Sequence, residues 1–213
     1  MTRIGFRTTR SCQLNVVRLL RHYYFGFENA FMGGNEFRAF GIRNLNFTDI
    51  NLDKIHPVER MAEILPESNR GNRPFVNSID INGKFLIENT NGYTIDLDGE
   101  YIRTVFRLKS EEELKGKIFV MGELTDWRLL PEFQLLYDPE LKMYITSAAL
   151  KQGYYNYYFH YVPGAEDIDF NEYRLEGSFF QTENVYEIIV YHRRQGGRAD
   201  RIIAYQALRF QQN

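Results

Sequence analysis

Gly153-Tyr-Tyr-Asn-Tyr-Tyr-Phe-His-Tyr161 decides the fold class. Read at a period of two, it puts Tyr154, Asn156, Tyr158 and His160 on one face and Tyr155, Tyr157, Phe159 and Tyr161 on the other. Aromatic side chains fit a pleated surface, so a strand is predicted over 154–162, and the leading glycine admits the turn before it. One face must enter a core, and the other then shows Tyr and His rings to solvent or to a partner. Aromatic area at low side-chain entropy suits recognition of protein or sugar. Cross-strand pairing that merely stabilises the sheet is the plainer reading of the same rings.

The surroundings carry the same signal. Tyr101, Arg103, Val105 and Arg107 alternate with Ile102, Thr104, Phe106 and Leu108, the pattern of a half-buried strand. Around Asn82-Gly83, a dipeptide that tolerates positive φ at both turn positions, residues 75–88 read as a hairpin. Phe37 to Phe47 reads as a strand with an irregularity at Gly41. Further short β segments are expected at 117–121, 133–137, 142–149, 186–193 and 201–210. Ser110-Glu-Glu-Glu-Leu-Lys-Gly116 is a charged break. The expectation is an all-β protein of two sandwich units with few helices. Residues 1–111 form a β-rich and incomplete first unit, and 112–213 an immunoglobulin-like sandwich. Within residues 1–30, Leu14 to His22 reads equally as one or two helical turns or as an edge strand.

Composition narrows the function. The chain has 213 residues, 44% hydrophobic and 15% aromatic, enough for a core without metal or disulfide. A net charge of −2 gives no footprint for nucleic acid. Cys12 is the sole cysteine, which excludes an intramolecular disulfide and sits in no nucleophile motif. No apolar run is long enough to span a bilayer. The histidines at 22, 56, 160 and 192 lack metal-ligand spacing, and His160 reads as a strand residue beside aromatic rings. Nucleophile-elbow and phosphate-loop motifs are missing, and Gly33-Gly34 supplies only flexible backbone. The carboxylates at Glu111 to Glu113 and at Glu166, Asp167 and Asp169 read as solvated loops. No catalysis, cofactor or metal is expected. Trp127, after Gly122-Glu-Leu-Thr-Asp, reads as a loop platform or as a plug of the core.

Two resemblances follow from these residues. Lys117-Ile-Phe-Val-Met-Gly-Glu-Leu-Thr-Asp-Trp127 and Leu150-Lys-Gln-Gly-Tyr-Tyr-Asn-Tyr-Tyr-Phe159 resemble the early-set immunoglobulin modules that bind glycogen. That likeness implies a glucan-stacking role for Trp127. The second aromatic is missing, because Val162-Pro-Gly-Ala-Glu166 stands where those modules have Asp-Gly and Trp. A wider set occurs in order: Gly33-Gly-Asn-Glu-Phe-Arg38, Asp80-Ile-Asn-Gly-Lys-Phe85, Asp98-Gly-Glu-Tyr101, Leu150 to Tyr157, Glu176-Gly-Ser-Phe-Phe-Gln-Thr-Glu-Asn184 with Tyr186, and Asp200-Arg-Ile-Ile-Ala-Tyr205. Together these resemble the Bacteroidetes plug protein family of the type IX secretion system, long known as a domain of unknown function. The resemblance implies an exported periplasmic protein that closes the periplasmic mouth of an outer-membrane translocon barrel without catalysis.

Family members carry a signal peptide and a longer β-rich beginning, so the chain is expected to correspond to the C-terminal half. The expected partner is that barrel, with a glycan as the second candidate. Expected contact residues are Trp127, Tyr154, Tyr155, Tyr157, Tyr158, Asn35, Glu36 and Arg38, with Arg193, Arg194 and Arg198 adding steering charge. Within the motifs, Asp200 and Arg201 are expected to fix the last hairpin, and the polar residues after Glu176 to pair with backbone groups.

Overall fold

The protein is described from a computed structural model, which covers the strand backbone of residues 2–8 and 11–18 and residues 31–90, 99–165, 167 and 173–210. Nearly everything regular is β. Thirteen strands and two short 3-10 turns, Glu123–Thr125 and Pro131–Phe133, make up the described elements. The chain divides into two compact units, Met1–Gly34 with Ser178–Asn213, and Asn35–Gly177 between them.

The first unit is a four-stranded antiparallel sheet built from both ends of the chain. Its strands are β1 (Thr2–Thr8), β2 (Ser11–Arg18), β12 (Asn184–His192) and β13 (Arg201–Phe210), in the order β13-β12-β1-β2. Thr2 to Thr8 pair with His192 to Tyr186, so the first strand lies between two partners of very different sequence position. The edge-strand reading of Leu14 to Arg18 therefore holds, while Leu19 to His22 lie outside the described residues.

The second unit contains β3 (Arg38–Gly41), β4 (Leu52–His56), β5 (Met61–Ile64), β6 (Phe85–Ile87), β7 (Tyr101–Lys109), β8 (Gly116–Met121), β9 (Gln134–Asp138), β10 (Met143–Lys151) and β11 (Gly153–Pro163). The order is β3-β11-β8-β9-β10-β7-β5-β4, with β6 also on β11. Pairing is antiparallel except between β5 and β7. Phe40 of β3 meets Phe106 of β7 edge-on at 5.5 Å, so strands far apart in that order share one core. Tyr155 lies opposite Phe40 in the β11–β3 register and stacks on it at 5.2 Å. Tyr157 joins Phe40, Phe106 and Phe159 at 5.4–5.5 Å. Apolar burial and ring geometry thus put the second face of β11 inside, with Tyr155, Tyr157, Phe159 and Tyr161 all buried.

Several expectations change. The division is not near residue 112: β7 and β8, on either side of the charged break, belong to the same unit, while β12 and β13 return to pair with the chain's beginning. The alternation over β7 is as expected, with Ile102, Thr104, Phe106 and Leu108 buried. Asn82 and Gly83 have φ of 56° and 73° and make the expected turn, closed by Lys84 N donating to Ile81 O at 3.3 Å. No hairpin forms around it, because β6 pairs with β11 and residues 75–80 form no strand. Asn156 explains this. Its side-chain carbonyl accepts the Ile81 N–H at 2.5 Å and its own N–H donates to Lys84 O at 2.9 Å, so the turn is fastened to β11.

Candidate functional site

Glu176 lies immediately before Gly177, whose φ of 77° turns the chain. Its carboxylate is buried and accepts four hydrogen bonds: Arg38 Nε at 2.9 Å, Arg70 Nε at 2.8 Å, Arg70 Nη2 at 2.6 Å and the Phe159 N–H at 2.8 Å. Arg38 extends the network to Glu67 Oε2 at 2.6 Å and Ser68 O at 2.9 Å, its guanidinium 5.0 Å from the Phe159 ring. Arg70 also donates to Glu36 O at 2.7 Å. Burial alone would raise the Glu176 pKa, but the charges of Arg38 and Arg70 outweigh it and hold the carboxyl below its ordinary value. Arg38 is likewise held in its charged form, burial opposing and Glu176 with Glu67 prevailing. Two cations and two anions close on one another, and the arrangement holds backbone segments together.

The other motif residues do related work. Asn35 Nδ2 donates to Glu176 O at 2.7 Å, and the Phe37 N–H to Asp80 Oδ2 at 2.7 Å. Gln152 exchanges bonds with Glu100, its N–H to Glu100 O at 2.9 Å and its side-chain oxygen accepting Glu100 N–H at 3.0 Å. In the first unit, Gly34 N–H donates to Ser178 Oγ at 3.1 Å, Thr182 Oγ1 to Gly34 O at 2.8 Å and Asn184 Nδ2 to Gly33 O at 2.9 Å. The expected backbone pairing after Glu176 is therefore present. Asp200, however, binds Arg193 through two bonds of 2.8 and 3.0 Å, and Arg201 takes no part. Arg193 faces back across the turn, whereas Arg201 already belongs to the strand.

A second aromatic layer lies on the other face of β11. Phe37 meets Trp127 and Tyr158 edge-on, each at 5.9 Å, and Tyr158 meets His160 at 6.0 Å. Positive φ at Asp126 and Trp127, 51° and 57°, turns the chain so that the indole rests over Gly83. A Cβ on Gly83 would stand 2.4 Å from the indole and 2.7 Å from the Phe37 ring. Trp127 is half-buried, a wedge against the Asn82-Gly83 turn more than a free platform. Of the expected contact residues, Tyr154, Tyr158, Trp127 and Asn35 keep partial exposure. Tyr155, Tyr157, Glu36 and Arg38 are buried, which withdraws them from the surface of this unit. Burial raises the Tyr155 and Tyr157 pKa values, and the Tyr157 hydroxyl has no hydrogen-bond partner among the described residues.

The acidic loops differ from one another. Glu111 to Glu113 are exposed, as expected. Asp167 instead accepts a hydrogen bond from Tyr161, whose pKa is pushed up to about 12 by burial and by that carboxylate. Glu166 and Asp169 lie outside the described residues. Among the described residues no group of three His, Cys, Asp or Glu side chains gathers as a metal site, and no helix is long and apolar enough to cross a membrane. Neither Arg70 nor Glu67 belongs to a motif legible in the sequence. Their signal was weak, since a lone charge in a loop looks the same whether it ends in water or in a buried pair.

No family model matches the chain, and no curated protein matches it. A crystal structure of a hypothetical protein from Parabacteroides merdae is similar, with a TM-score of 0.84 and 24% identity over 98% of this chain. At that identity the likeness shows the fold alone. The chain spans 55% of that protein, about half its length.

Proposed function

We propose that the chain is a non-catalytic, plug-like component of the type IX secretion system, associating in the periplasm with the outer-membrane translocon barrel. Its second unit would carry an early-set immunoglobulin-like core formed by β7 to β11. One observation carries the reading: within each unit, several of the motifs that resemble the plug family meet one another in space. Asn35 and Arg38 bind Glu176, Phe37 binds Asp80, the 80–84 turn binds Asn156, and Glu100 binds Gln152. Within the first unit, Gly33 and Gly34 bind Ser178, Thr182 and Asn184. Such clustering of motif residues within each unit supports the reading that they serve one fold.

The test is co-purification. An affinity-tagged chain expressed in a bacterium that has the type IX system, recovered from solubilised outer membrane, should bring down the translocon barrel. Recovery without the barrel, together with retention on immobilised glucan, would replace this reading with that of a carbohydrate-binding module.

A further inference from the structure

The first unit is charged unlike the rest of the chain. Its two segments contain ten basic residues, every one arginine, against four acidic ones, a net +6; the second unit carries −8 within the chain's −2. Four of those arginines, Arg193, Arg194, Arg198 and Arg201, lie in or beside the β12–β13 turn, and Arg209 lies near the far end of β13. Arg193 is occupied by Asp200, whereas Arg194, Arg198 and Arg201 form no ion pair among the described residues. Between Arg201 and Arg209 runs Ile-Ile-Ala-Tyr-Gln-Ala-Leu, without charge, proline or lysine.

β13 also ends its sheet: among the described residues it pairs with β12 alone. Ile202, Ile203, Tyr205 and Leu208 are 63%, 59%, 58% and 51% exposed, so apolar side chains are in water on both faces of the strand. Soluble proteins blunt such edges with lysine, proline, bulges or short length. Here the register skips Ile203, a single bulge, and Ala204 to Phe210 then run in unbroken register against Val190 to Asn184.

We infer that the outer edge of β13 is a docking strand for an extended, acidic segment of a partner protein, a deepening that rests on the interaction role proposed above. Backbone groups of the added strand would complete the ladder, its side chains would cover Tyr205 on one face and Leu208 on the other, and acidic residues at its ends would meet Arg201 and Arg209. A second copy fits poorly. Two β13 strands paired antiparallel about Tyr205 would set Arg201 opposite Arg209 twice, like charges directly across a ladder. A nucleic acid or an anionic bilayer would satisfy the arginines but leave the backbone edge unpaired.

The probe is a fluorescent peptide, Asp-Glu-Val-Thr-Val-Thr-Val-Thr-Glu-Asp, titrated against the full chain beside a version with lysine at the acidic positions. The acidic peptide should bind about tenfold more tightly than the lysine version. It should slow amide exchange over 204–210, and R201E/R209E should reverse the preference. Both positions are exposed, and the buried core cluster of the second unit contains neither. Equal binding of the two peptides, no protection of 204–210, protection already present in a peptide-free dimer, or tighter binding to anionic vesicles or DNA would each overturn the inference. If R201E/R209E still co-purifies with the translocon barrel undiminished, the docking strand fails and the plug-like role stands. If the acidic peptide binds as expected and wild-type protein brings down no barrel, the role fails and the docking strand stands.

Discussion

Glu176 holds two arginines on two oxygens, and exchanging one oxygen for an amide nitrogen turns an acceptor into a donor facing a guanidinium. E176Q should therefore lose about 3–5 kcal/mol in urea denaturation, because Arg38 stays buried with only Glu67 as counter-charge. The same carboxyl predicts a pH dependence. Its folded pKa lies below the ordinary glutamate value of 4.5, so its contribution is present above that pH and is lost as pH falls through the folded value. Wild-type stability should decline in that acid window, and E176Q should show a flatter acid limb over the same range. At Gly83 both the positive φ and the contact with Trp127 resist a side chain. G83A should cost about 1–3 kcal/mol and shift Trp127 emission toward that of a solvated indole. Alternation told which residues of β11 share a face. It could not tell which face is inner, because both carry tyrosine, and Tyr155 and Tyr157 were placed at the surface for that reason.

Among the elements, strand positions were legible and strand partners were not. The predicted 201–210 matches β13 (Arg201–Phe210), and 154–162 falls within β11 (Gly153–Pro163). Period-two patterning is local, whereas pairing depends on residues far away. Asn82-Gly83 encoded its turn, yet Asn156, 73 or more residues further on, decides what that turn binds. N156A should thus leave the Lys84–Asn156 backbone bond in place and release the Ile81 N–H, at a cost of about 1–3 kcal/mol. Faster exchange of the Ile81 amide, with the β11–β8 amides unchanged, would be the corresponding signature.

At the scale of the molecule, the charged segment over 110–116 looked like a boundary, and it is a connection between β7 and β8 of one unit. The boundaries, after Gly34 and after Gly177, are marked only by short glycine turns of a kind found throughout the chain. Instead Asn35 and Glu176 hydrogen-bond, closing the second unit on itself. Residues 35–177 alone should therefore fold with the Trp127 emission of the full chain, as circular dichroism and fluorescence will show. The opposite charges of the two units were present in the sequence, but became visible only once the chain's two ends were known to share a sheet.

The proposed plug-like role requires this chain to bind the translocon barrel. Native mass spectrometry of the affinity-purified complex from solubilised outer membrane reads that binding as a mass. One copy of the 25.3 kDa chain bound to one translocon barrel is the predicted mass. The chain at its own mass in every preparation, with no barrel attached, would contradict it.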